Sequence, residues 1–344
     1  MAAIRRILVA IKDIQATSYP AVLKAAQIAR ACNAKVQLFH ALATPLYADA
    51  SGLGDQSTEL LEHDLRQRAL DRLEVIAKQL RKHGIRVTVT AEWDFPSYEA
   101  IIRQALRGNA DLIIASRHSG RHTAPWLLRL TDWELVRHSP TPVLLVKNPR
   151  PYRQPAVLAA IDPAHTHAKP LLLDKAILRT AGTISQALHG KLNAVHAYAR
   201  APIGNVYGAV PRAAVKSGLM TPGLFKKMEE KMQRLALRSA QASLTRALRG
   251  TRIPASRRYL IANDPVHAIV EAAQQSNSAI VVMGAVSRSG FRRLLIGNTA
   301  ERVLDALSCD VLVVKPPKFR CKVPRKANGP KLLALTPAGA AGYF

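Results

Sequence analysis

The chain has 344 residues, 48% of them hydrophobic and 21% charged, a globular composition with length for about two domains, which excludes a disordered or fibrous protein. Fifty Lys and Arg against 23 Asp and Glu give a formal charge of +27, which attracts anions of every kind, nucleic acid included, without naming one. Cys32, Cys309 and Cys321 stand far apart with no Cys-x-x-Cys pair, which argues against a disulfide framework or a cysteine zinc site, and no apolar run reaches membrane-spanning length, so the expectation is a cytoplasmic protein without membrane insertion.

The first element is a short β-type run, Ile7-Leu-Val-Ala-Ile11, followed by Lys12 and Asp13 and then a helical stretch. Val36 to Ala41 reads as a second strand ending in His40-Ala41. Leu61, Leu65, Leu73, Ile76 and Leu80 then fall at helical spacing, and His83-Gly84 ends that helix. Ala100-Ile-Ile102, Asp111-Leu-Ile-Ile114 and Val143-Leu-Leu-Val-Lys147 complete the first half. Three prolines within Asn148 to Pro155 mark a boundary.

The same series then starts again. Val157-Leu-Ala-Ala-Ile161 is followed by Asp162, and Leu192 to Ala197 ends in His196-Ala197. Leu224, Met228, Met232 and Leu235 repeat the long helix, and Arg249-Gly250 ends it. Ala268-Ile-Val270, Ala279-Ile-Val-Val282 and Val311-Leu-Val-Val-Lys315 match the last three runs of the first half at one common offset of 168. The chain is therefore a tandem repeat. Strands alternating with helices call for parallel sheets covered on both faces. The expected fold is α/β, with two domains each a doubly wound open parallel sheet of about five strands. The expected division is 1–148, 149–317 and a basic, then Ala/Gly-rich tail over 318–344, read as mobile.

In such sheets ligands bind at the carboxyl ends of the strands, near the switch in strand order. Two loops of the second half reach that place. One carries Asp162; the other runs from Gly284 through Ser287, Arg288, Ser289 and Gly290 to Gly297-Asn298-Thr299, which opens a helix. Glycines let backbone N–H groups approach a phosphate, and a helix N-terminus attracts anions. A glycine turn with a helix cap and no ligand fits the same residues.

The run Gly284 to Gly297-Asn298-Thr299, with Ala300-Glu301-Arg302-Val303-Leu304 after it, resembles the signature of the universal stress protein family: glycine, two residues, glycine, nine residues, then glycine with Ser or Thr. Ser287 replaces the second glycine, and Asn298 stands where Ser or Thr is usual. The resemblance covers both halves and is of the tandem type. It implies ATP or another adenine nucleotide, with Mg, or another small phosphate-bearing ligand. Asp162 would lie near the ribose or metal, and Ala197 would follow the strand that contacts the base. Gly284, Ser287, Arg288, Ser289, Gly290, Gly297, Asn298 and Thr299 would form the phosphate loop. It also implies a part in stress survival, including resistance to DNA-damaging agents, and intrachain pairing of the halves as a pseudo-dimer through Val143–Val146 and Val311–Val314. Association of two chains as a homodimer stays open.

In the first half Ser116 stands for Gly284, Arg129 for Gly297 and Lys12 for Asp162, so that half reads as degenerate, structural or interactive. His118 with His122 and His165 with His167 lack companion ligands for a metal. His40 and His196 read as packing residues, as do Trp126 and Trp133. No nucleophile elbow, Walker loop or paired-carboxylate motif occurs, so slow ATP hydrolysis is the most enzyme chemistry to expect. A weak ATPase and a basic nucleic-acid-associated protein are the rival readings.

Overall fold

The computed structural model describes residues 4–42, 46–49, 54–117, 125–164, 172–199, 222–285, 298–329 and 332–335. In chain order the elements of the first half are β1 (Arg6–Ala10), α1 (Pro20–Cys32), β2 (Lys35–Leu42), β3 (Leu46–Asp49), α2 (Gly54–Lys82), β4 (Val87–Trp93), α3 (Ser97–Arg107), β5 (Leu112–Ser116), α4 (Pro125–His138) and β6 (Val143–Val146). The second half has β7 (Ala156–Ile161), α5 (Leu173–Ala187), β8 (Lys191–Tyr198), α6 (Pro222–Ala247), β9 (Arg258–Ala262), α7 (Pro265–Gln275), β10 (Ser278–Gly284), α8 (Asn298–Ala306) and β11 (Asp310–Val314), with β12 (Leu332–Leu335) in the tail.

Local chemistry sets several of these limits. Pro20 and Pro265 sit in the first turns of α1 and α7, where a missing N–H costs nothing. Asp264 caps α7 by accepting from the Val266 N–H, and Asn33 ends α1 in the left-handed region at φ 51°.

Ten strands form one sheet in the order β4-β2-β1-β5-β6-β11-β10-β7-β8-β9. Within each half every pairing is parallel, and β6 meets β11 antiparallel, Leu144 opposite Leu312. Each half contributes five of these strands. Alternate side chains feed opposite layers: Ile7 and Val9 join the core under α1, α2 and α5, while Leu8 and Ala10 join the one under α3, α4, α7 and α8. Burial on both faces is what makes β1, β5, β7 and β11 apolar at consecutive positions.

Asp310, wholly buried at the start of β11, fastens the junction between the halves. It accepts from the backbone N–H groups of Lys147 (2.8 Å) and Asn148 (2.9 Å) and from the Tyr152 hydroxyl (2.6 Å), and it pairs with Lys24 of α1 at 3.2 Å. The Lys24 ammonium also lies over the Tyr152 ring, 3.6 Å from its centroid.

The start of the tail, within the 318–344 stretch expected to be mobile, hydrogen-bonds to the first half. The Asn328 N–H donates to Asp94 (3.0 Å), its side chain donates to the Phe95 carbonyl (2.8 Å), and the Phe95 N–H donates to the Gly329 carbonyl (3.2 Å). Val323 is buried in the α3–α4 layer. The tail then adds β12 alongside β3 in a separate parallel pair. The reason is specific: Asp94 and Arg103 form a buried bidentate ion pair with acceptor capacity left for the tail's N–H group.

Candidate functional site

The order of the second half-sheet contains one reversal. From β7 the chain moves outward to β8 and β9, then returns to lay β10 on the other side of β7. The carboxyl end of β7 is therefore the switch point, and Asp162 is the first residue beyond it. Ile161 pairs with His196, so Asp162 and Ala197 each follow one member of that pair. Val282 pairs with Ala159, which brings Gly284, two residues further, level with Ile161. Asp162, Ala197 and Gly284 thus share one end of three adjacent strands.

Asp162 and Gly284 each meet a neighbour that the sequence left unmarked. The Asp162 N–H donates to Oδ1 of Asp174, in the first turn of α5, at 3.2 Å. A Cβ on Gly284 would stand 2.7 Å from Cδ2 and 3.0 Å from Cγ of Leu173, which is itself fully buried. The glycine therefore permits close contact between the end of β10 and the start of α5. His196 is buried, with Nδ1 3.9 Å from Oδ1 of Asp162, whose side chain is 24% exposed. The adjacent His-Ala dipeptides were the available signal for that histidine.

Ser287, Arg288, Ser289, Gly290 and Gly297 lie outside the described residues. Asn298 and Thr299 open α8, and their side chains are not described. His118, His122, His165 and His167 also fall outside the described residues, while Trp133 packs in the α3–α4 layer. Among the described residues no group of three or more His, Cys, Asp or Glu is gathered for a metal ion.

The first half closes the equivalent place with its own side chains. Lys12 lies where Asp162 does and forms a buried ion pair with Asp132 of α4. Burial pushes the Lys12 ammonium down to about 7, with the Arg117 charge adding to the effect. Ser116, in place of Gly284, accepts from the Ala21 N–H at 3.2 Å and so caps α1. Arg129 falls within α4, where the backbone is committed to the helix. His40 repeats the position of His196, but its Nδ1 donates to the Ile11 carbonyl at 2.7 Å, and burial lowers its proton affinity.

The profile of the universal stress protein family matches residues 3–147 and 156–315, which is both halves of the sheet. The chain belongs to the universal stress protein family. Universal stress protein E of Escherichia coli K12 is 27% identical over 72% of this chain and 74% of its own length. A protein of unknown function from Pseudomonas aeruginosa PAO1 is 26% identical with a TM-score of 0.62, covering 91% of this chain and 93% of that one. A universal stress protein from Archaeoglobus fulgidus DSM 4304 shares the fold at 14% identity and a TM-score of 0.56, over 90% and 97% of the two chains. Two universal stress domains in one chain, set side by side in one sheet, are the architecture on which any function rests. No helix among the described residues is long and apolar enough to cross a membrane.

Proposed function

We propose that the second half binds an adenine nucleotide or a related phosphate-bearing ligand, and that the chain acts in the cytoplasm as a ligand-gated stress-response regulator. The observation that carries this reading is Asp162 at the switch point of a parallel half-sheet, beside the close-packed Gly284. The first half supports it by contrast, since Lys12 and Asp132 fill the matching place with an ion pair. The two halves then act as an intrachain pseudo-dimer with one working site. Magnesium, where present, would be bound chiefly by the ligand's phosphates with Asp162 as protein oxygen donor, because small hard cations are held through one or two carboxylates plus phosphate. The activity in this reading is binding rather than turnover, and resistance to DNA-damaging agents is the expected phenotype.

Mass spectrometry of the small molecule that co-purifies with the chain, repeated on Gly297→Arg, tests this. An adenine nucleotide present in the parent and lost in the variant is the expected result. A clean parent, or a ligand that survives the substitution, would sink the reading.

A further inference from the structure

On the first half, α3 and the turn before it hold a stretch of the chain's own tail. Arg103 donates to the Pro324 carbonyl at 3.3 Å, and Asn328 donates to Glu99 at 3.2 Å and to the Phe95 carbonyl at 2.8 Å. Between α3 and α4 the rings of Tyr98 and His138 stack with centroids 5.5 Å apart and fill the crevice.

The helices α7 and α8 stand at the same place in the second half, related by the 168-residue offset. There the crevice is open, a groove of about 690 Å³ whose lining includes Asn263, Val266, His267, Val270, Glu271 and Ala306. Val266 and Ala306 take the positions of Tyr98 and His138, so the volume of two rings is missing. The three positions by which α3 and the turn before it contact the tail, Phe95, Glu99 and Arg103, become Asn263, His267 and Glu271. Three charges on the two walls are inverted, Arg103 to Glu271, Glu134 to Arg302 and Arg137 to Asp305, while Glu99 becomes His267. Three reversals together with the lost rings change what the groove accepts.

We infer that the α7–α8 groove is a docking site for an extended segment of a partner protein, one that places a small apolar side chain on Val266 and Val270 and a Lys or Arg against Glu271. In the first half the tail offers a carbonyl to Arg103; the carboxylate at the same position requires a donor instead. His267 is tied to Asp264 and Asp305 to Arg117, and Glu271 stands exposed, accepting one hydrogen bond from Gln275. The described tail residues 324–329 are engaged on α3 and the turn before it, and the segment assigned to the groove is a partner's.

A fluorescein-labelled peptide of residues 316–329 is a suitable probe, because its Val323 is flanked by Lys322 and by Pro324-Arg325. Fluorescence anisotropy with the full chain should give saturable one-to-one binding, weakened about tenfold by Glu271→Lys. The pair Val266→Tyr with Ala306→His, which transplants the ring stack, should abolish binding while circular dichroism stays unchanged. Absence of saturable binding would overturn the inference. So would binding that neither variant alters, since the peptide would then be exchanging with the resident tail on α3. Sedimentation equilibrium of the chain alone completes the test: a dimer lost in the groove variants would assign the groove to a second copy and overturn the partner reading.

Discussion

At the scale of single residues, the contrast between the halves rests on what occupies the end of the first strand. Lys12 and Asp132 are 14% and 6% exposed, and an ion pair so enclosed is costly to break from one side, because the remaining charge stays buried. Lys12→Met should therefore lower unfolding free energy by about 3 kcal/mol in urea titration. Adding Asp132→Leu should recover most of that loss, since an apolar pair of similar volume carries no desolvation penalty. A neutral Lys12→Met would mean that the pair does not close the first half. The strand ends that carry Asp162, Ala197 and Gly284 were legible in the sequence, because apolar runs and glycines leave local marks. Leu173 and Asp174 were not, because the need for a glycine at 284 lies in a contact across 111 positions that no spacing announces.

At the scale of elements, legibility follows burial. Strands covered on both faces, such as β5 (Leu112–Ser116) and β11 (Asp310–Val314), stand out as unbroken apolar runs. The edge strands β4 and β9 do not: β4 reads Val-Thr-Val-Thr-Ala-Glu-Trp, and β9 is half-buried along its whole length. The pairing of β12 with β3 had no local signal at all, since the partners come from opposite ends of the chain. The hydrogen bonds of Asn328 had no local signal either, because the basic composition of the tail conceals them. Asn328→Ala removes two side-chain bonds, to Phe95 and to Glu99, and should cost about 1 kcal/mol. Hydrogen exchange should then quicken together over residues 94–103 and 321–329. Faster exchange in the tail alone would mean that the strap does not stabilise α3.

At the scale of the whole molecule, the excess of basic residues includes several that folding takes out of water. Burial pushes Lys147 and Lys315 down to about 8, with Arg117 and Arg137 respectively adding to it, and Lys12 to about 7. Each ordinarily titrates near 10.5. Between pH 7 and 9 the unfolded chain thus binds more protons than the folded one, so stability rises with pH. Each full proton of difference contributes about 1.4 kcal/mol per pH unit. Above pH 9 the trend is opposed, because burial pushes the Cys309 thiol up to about 11 and the unfolded chain loses that proton first. Urea midpoints measured from pH 6.5 to 9 check this, and a flat or falling profile would contradict it. The antiparallel seam between β6 and β11 has a consequence of another kind, in time rather than energy. When β6 leaves the ribosome its outer edge has no partner, and the strand that will cover it is still about 160 residues from being made. At about 5–20 residues per second the nascent first half waits roughly 10–30 s with a four-residue, wholly apolar edge open to any strand that passes.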